Sequence, residues 1–250
     1  MARVFLASMH CASPPNEGIF RTIVTLGIFR TTGAGADHIS ARERLVRRLR
    51  QAFLDYGYEQ ISMSALAEIC GLTRRALYHH FSNKEEAFRY VLQFDGEVAI
   101  RDGLAAGRAR IESGASAVEV ITEIMDIRYG DNRRRLAASP HALEINDQAF
   151  RRARDIMVQA AVDFQAQLAV VITELHAKGM LCLRANVRAE TLAQMLSDGA
   201  RGSNQALPPI PLDQLRQRYA TMTEAILYGS ANRAADQDRQ GKVGASRLTA

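Results

Sequence analysis

The chain has 250 residues, 47% of them hydrophobic and 24% charged, with a formal net charge of +5 and a pI near 9.4. This is the composition of a globular protein with ample apolar mass for a core, and its positive excess favours a polyanionic partner without identifying one. Cys11, Cys70 and Cys182 lack disulfide or metal-ligand spacing, so a reduced, cytoplasmic setting is expected. No apolar run reads as approaching the ~18 to 20 residues of a membrane span, and MARVFLASMHCASPP, interrupted by Met9 and His10, does not read as a signal peptide.

Residues 1–38, with Pro14-Pro15 and no sustained periodicity, are expected to be a disordered arm. From Ser40 the pattern becomes helical: Leu45, Leu49, Ala52, Phe53 and Tyr56 fall on one side at the helical period. Arg42 and Arg47, near that helix's start, are candidates for phosphate contacts, which position a domain without choosing sequence. Ser62 then caps a short helix carrying Leu66, Ala67, Ile69 and Cys70, Gly71 ends it, and Thr73 caps the next. Ala67 leaves room for two helices to cross steeply, and Leu77 anchors the second helix inward.

The residues which that second helix leaves outside are Thr73, Arg74, Arg75, Tyr78 and His79, with His80 beside them. Guanidinium forks grip guanine or phosphate, and a helix of this kind fits a major groove. The short apolar-Gly-apolar pattern alone is equally that of a helical hairpin with a solvated basic face. Ser82 with Glu85 predicts a capping box opening a third motif helix, with Lys84 in its first turn. That helix is expected to run through Phe88, Val91 and Leu92 into the following domain.

Residues 93–229 read as helix after helix, punctuated by Gly103, Gly107, Gly114, Gly130, Pro140, Gly179 and a loop over 203–211. The longest piece, 147–178, is apolar nearly all round in its later part and is expected to be buried. Two final helices carry Leu192, Met195, Leu196, Leu215, Tyr219, Met222 and Ile226, a packing seam for a partner or for the same subunit. A polar tail follows from 230. The fold class is therefore all-α: a three-helix, helix-turn-helix domain over 39–92 and a larger helical domain over 93–229.

The sequence carries none of the usual catalytic constellations. His141 and Glu144 form a lone pair without the repeat that a di-metal bundle needs, and phosphate loops, nucleophile elbows and Cys-x-x-Cys pairs are absent. No catalytic residue, metal or cofactor is expected. Met125, Arg128, Tyr129, His141, Phe164 and Leu168 are candidates for lining a pocket, with plain core packing the competing explanation; apolar walls would suit a hydrophobic or amphipathic compound.

The segment GYEQISMSALAEICGLTRRALYHHFSNKEEAF resembles the DNA-binding segment of the TetR family of transcriptional regulators. The resemblance rests on Tyr56 and Tyr58 around Gly57, Leu66-Ala67, Gly71-Leu72-Thr73, Leu77-Tyr78 with His80-Phe81, and Lys84-Glu85; Ala65 departs from an acidic residue common in the family. It implies double-stranded DNA as partner, a phosphate anchor at Lys84, a homodimer through the terminal helix pair, and an unidentified small-molecule effector. It further implies a repressor released from a palindromic operator. The alternative is a dimeric regulator controlled by a protein partner, or one that answers to no ligand.

Overall fold

A computed structural model describes residues 40–232; the expected N-terminal arm, Cys11 and the tail beyond 232 lie outside the described residues. These are helical, apart from connecting turns and one short antiparallel pairing of Cys182–Leu183 with Ala231–Asn232. The pairing takes in the first residues of the expected tail.

Helix α1 (Ala41–Tyr56) opens on a capping box: the Ser40 hydroxyl accepts from the Glu43 amide at 3.1 Å, and the Glu43 carboxylate accepts from the Ser40 amide at 2.9 Å. Its buried stripe is Val46, Leu49, Ala52 and Phe53. Leu45 is only half-buried, and Tyr56, expected on this face, is 53% exposed. The stripe takes in Val46 in place of Leu45, and Tyr56 is exposed as the last residue of the helix, where the packing beneath it ends. Helix α2 (Met63–Ile69) and α3 (Arg74–His80) follow.

The turn between α2 and α3 is built on Gly71, whose φ is +66°. The Leu72 amide donates to the Ala67 carbonyl at 2.8 Å and the Gly71 amide to Glu68 at 2.9 Å, the paired bonds of a Schellman ending. Arg48 of α1 closes it by donating to the Cys70 carbonyl at 2.7 Å. Phe53, Tyr58 and Phe88 meet beneath, Phe88 lying 5.0 Å from each of the other two ring centroids.

Helix α4 (Lys84–Glu112) has 29 residues, a rod of roughly 43 Å. Its cap is Asn83, not Ser82: the Asn83 side chain accepts from the Glu86 amide at 2.9 Å, and Glu86 accepts from the Ser82 amide at 2.6 Å. The capping pair has moved one residue, because Asn83 with Glu86 supplies the same chemistry in the next register. Gly103 and Gly107 do not interrupt α4. They let α5 (Ala117–Met125) approach: a Cβ at Gly103 would stand 3.1 Å from the Ile124 carbonyl oxygen, and one at Gly107 would collide with the Ile124 side chain.

Gly130 likewise ends nothing, because α5 runs through a π-helical turn, Asp126–Gly130, into α6 (Asp131–Ala137). Next come α7 (Ala142–Arg152) and α8 (Arg154–Ala177), which correct the single helix expected over 147–178. The break is at Ala153, whose φ of −135° is not helical; its side chain is fully buried. Helices α9 (Ala189–Asn204) and α10 (Leu215–Ser230) complete the body.

Two apolar cores result. The body core joins the far half of α4 to α5, α8, α9 and α10 around Ile121, Phe164, Leu168, Leu196 and Tyr219. The other holds α1 to α3 and the start of α4, and it also takes in Ile145 and Ala149 of α7. Helix α8 is not buried all round: Val158, Val162 and Val170 are more than half exposed. By length and composition α8, with a mean hydropathy of 1.5, could cross a membrane, contrary to the sequence expectation. Its Phe164, Leu168, Ile172 and Leu175 are completely buried in the body core, which reads it as a core helix.

Candidate nucleic-acid interface

Helix α3 is held from below by Leu77, fully buried, and from its start by Thr73, whose hydroxyl accepts from the Ala76 amide at 3.1 Å. With one residue pinned inward, the rest of the turn must point out: Thr73, Arg74, Arg75, Tyr78, His79 and His80 are all exposed. The Arg74 guanidinium lies 5.5 Å from the Tyr78 ring centroid, and the His80 ring packs 6.1 Å from Phe81. Positions 74/78 and 75/79 are one turn apart, so the face presents two parallel rows of donors. The Thr73 hydroxyl oxygen is engaged in the cap but keeps its proton to donate.

The flanking cations differ from this face. Lys84, half-buried at the start of α4, donates to the Glu59 carbonyl at 3.1 Å and lies 4.5 Å from the Tyr58 ring centroid. Arg42 donates to the Tyr90 hydroxyl at 2.7 Å and sits over the Tyr90 and Phe94 rings, while Arg47 is exposed. A shallow cleft of about 600 Å³ at the start of α4 is lined by Tyr58, Asn83, Lys84, Glu85, Glu86 and Arg89.

Sequence reading missed how tightly α7 and the start of α8 hold this domain. Ser139 donates to the Leu54 carbonyl at 2.5 Å, Glu144 accepts from the Glu59 amide at 2.7 Å, and Gln148 donates to the Glu59 carboxylate at 2.7 Å. Arg152 pairs with Glu85 at 2.6 Å and lies 4.6 Å from the Tyr58 ring, so Tyr58 carries Lys84 and Arg152 together. Arg89 grips Asp155 with two bonds of 2.8 and 2.6 Å. Those bonds hold the Asp155 carboxyl down to about 2, whereas burial raises the Tyr58 hydroxyl despite the opposing charge of Arg152. Burial also pushes the Cys70 thiol up to about 11, as befits a core residue. The one available signal was the basic pair Arg151-Arg152 at a helix end, which also fits a solvated terminus.

The pocket candidates divide. Met125, Tyr129, Phe164 and Leu168 come together in the body core with Arg128 against them. His141 does not join them: it sits beside Glu144 at 3.2 Å, against Gly57 of the other core. No group of three or more metal-binding side chains occurs among the described residues. Of the seam residues, Leu192, Leu196, Leu215 and Tyr219 are fully buried within their own chain, Met222 and Ile226 are partly buried against the same core, and Met195 is 46% exposed. The seam therefore packs mainly inside its own subunit, because its fours-and-threes spacing serves α8 and α5 as well as it would serve a partner.

Comparison with known proteins agrees with this geometry. Residues 45–91 match the bacterial regulatory proteins of the tetR family. The transcriptional repressor Rv1474c of Mycobacterium tuberculosis is 36% identical over 73 residues, 27% of this chain and 39% of the repressor. The repressor AcnR of Corynebacterium glutamicum is 28% identical over 96 residues, 38% of this chain and 46% of that protein. The chain thus spans less than half the length of the curated relatives it matches. In fold it resembles a TetR transcription regulator from Haloarcula marismortui, with a TM-score of 0.57 at 16% identity over 76% of this chain and 98% of that one. The exposed α3 face thus lies within the segment, residues 45–91, that is similar to the bacterial regulatory proteins of the tetR family.

Proposed function

We propose that this protein is a sequence-specific, DNA-binding transcriptional repressor, a cytoplasmic homodimer released from a palindromic operator by a small apolar or amphipathic ligand. The observation that carries this reading is the outward face of α3, where Thr73, Arg74, Arg75, Tyr78, His79 and His80 stand exposed on a helix anchored by Leu77. The names of the matched repressors support the direction of control. Two such helices set about 34 Å apart would enter successive major grooves. Met195, with the partly buried Met222 and Ile226, is what the expected seam leaves for a partner. The domain division proposed is a reading head over 39–92 and a sensing and dimerising body over 93–229, joined by α4.

Selection of bound fragments from random DNA with the full chain tests the reading directly. Enrichment of an inverted repeat whose half-sites lie about one helical turn apart is expected. An enriched single half-site would remove the dimer, and no enrichment at low salt would remove the DNA function.

A second reading, a regulator controlled by a protein partner or by no ligand, is favoured by one observation: Met125, Phe164 and Leu168 are fully packed. A thermal-shift screen separates the two, since an effector at ~100 times its dissociation constant adds about 2.7 kcal/mol.

A further inference from the structure

We propose that Arg128 anchors an organic monoanion, a carboxylate on an apolar body, and so fixes the chemical class of the effector; this rests on the ligand-released reading above. The π-helical turn delivers the Arg128 guanidinium to within 5.0 Å of the Tyr129 ring centroid and 5.6 Å of that of Phe164. Its Nε is buried without any hydrogen-bond partner. Around it, Arg110 and Arg216 pair with Glu123, Arg134 and Arg216 pair with Asp126, and Arg133 donates to the Asn204 carbonyl. Arg128 is half-buried, and no carboxylate lies within ion-pair distance of it among the described residues. Burial pulls its pKa down, and nearby Arg201 adds to the effect.

A partly desolvated cation without a counter-charge is a cost that packing alone does not require, because an apolar side chain would fill the same space. Such a site recovers its cost when an anion arrives. The guanidinium fork takes a carboxylate bidentately, and the rings of Tyr129 and Phe164 supply apolar walls. Tyr129 is held in place by a 2.7 Å bond between its hydroxyl and Ser197. Arg201 is already matched by Asp198 at 2.8 Å, so the site has one partly desolvated positive charge to neutralise, which selects a monoanion. Arg128 remains partly exposed, whereas Phe164 and Leu168 are fully packed. An apolar body following its carboxylate inward therefore has to part the π turn from α8. Gly103 of α4 lies directly against Arg128, so that movement reaches the long helix.

The test uses the full chain in two arms. Without ligand, Arg128→Met should raise Tm by about 2–4 °C, as removal of an unpaired, partly desolvated charge does; a fall would overturn the proposal by making the guanidinium structural. With ligand, octanoate, decanoate and 3-phenylpropanoate are titrated calorimetrically beside their primary amides. At least one acid should bind, its amide at least tenfold more weakly, and Arg128→Met should abolish the difference. Binding by none of the acids overturns the proposal. Equal binding of acid and amide, or acid binding unchanged in Arg128→Met, overturns the Arg128 assignment and leaves ligand release standing. Binding through Arg128 that leaves DNA affinity untouched supports the site and instead removes ligand release.

Discussion

Replacing Arg75 and Lys84 separately by alanine should give two different failures, because the two cations are placed differently. Arg75 is exposed on α3, so Arg75→Ala should leave stability within about 0.5 kcal/mol. If its fork reads a base, the loss per half-site is about 1–3 kcal/mol, roughly 5- to 150-fold, and falls on one operator position. Lys84 is half-buried, donating to the Glu59 carbonyl and covering Tyr58. Removing that hydrogen bond and ring contact costs roughly 1–2 kcal/mol of stability, or about 2–8 °C in Tm. If Lys84 also anchors a phosphate, its removal should weaken binding to all sequences alike and flatten the salt dependence by about 0.9 per site. The assay is fluorescence anisotropy on the selected operator and single-base variants at several salt concentrations, with thermal unfolding alongside. Equal losses for both variants on every sequence would refute base reading by Arg75. An unchanged salt slope in Lys84→Ala would make that lysine a brace for Glu59 and Tyr58 and nothing more.

Other sites make narrower demands. Gly71→Ala places a Cβ at φ +66° and against the Arg48 guanidinium that closes the turn, so denaturant unfolding should show a loss of about 1–3 kcal/mol. Ile145→Ala should cost about 2–5 kcal/mol although Ile145 lies in the body sequence, since it is buried in the head's core; hydrogen exchange should rise in α1 and α4, and a rise confined to α7 would refute the shared core. Glu123 is held below its ordinary value of 4.5 by its bond to Arg216 and then by Arg110. A depressed carboxylate stabilises above its unfolded pKa and loses that contribution as pH falls through the folded one, so Glu123→Gln should flatten the decline of Tm below pH 4.5.

How far the sequence discloses this molecule follows from the range of the forces involved. The cap at Ser62, the turn at Gly71, the cap at Thr73 and the outward face of α3 are set by residues within a few positions of one another, and local chemistry makes them readable. Glycines inside α4 read as breaks because the sequence does not say that Ile124 will press against them. The same blindness to tertiary contact makes α7 and α8 one helix and leaves unread that Leu192, Leu196, Leu215 and Tyr219 of the α9 and α10 seam are buried in their own chain. Arg152 shows only as half of a basic pair and Glu59 not at all, since their meeting near Tyr58 depends on how α7 docks. Arg128 reads as one candidate among several, and its lack of a counter-charge emerges only once each nearby carboxylate is seen to hold another arginine.

The clasp between α7 and the head also bounds how a ligand could act. An effector moves the equilibrium only by the difference in its affinity for two states, commonly 1–3 kcal/mol. Withdrawing Ile145 and Ala149 from the head core would cost more than that. The polar contacts are cheaper: Arg152 and Glu85 are both partly exposed, and an exposed pair or ring contact is worth about 1 kcal/mol or less. The accessible motion is then one in which α7 stays docked and Arg152 exchanges its hold on Glu85 and Tyr58. Since Lys84 rests on the same ring, releasing Arg152 would loosen that lysine, the proposed phosphate anchor, without unfolding the head. Arg152→Ala should accordingly increase hydrogen exchange in α4 from Phe88 to Leu92 while the amides of α1 keep their protection. Equal loss in both helices would mean that the clasp holds the head together, and that no ligand of ordinary coupling strength works by opening it.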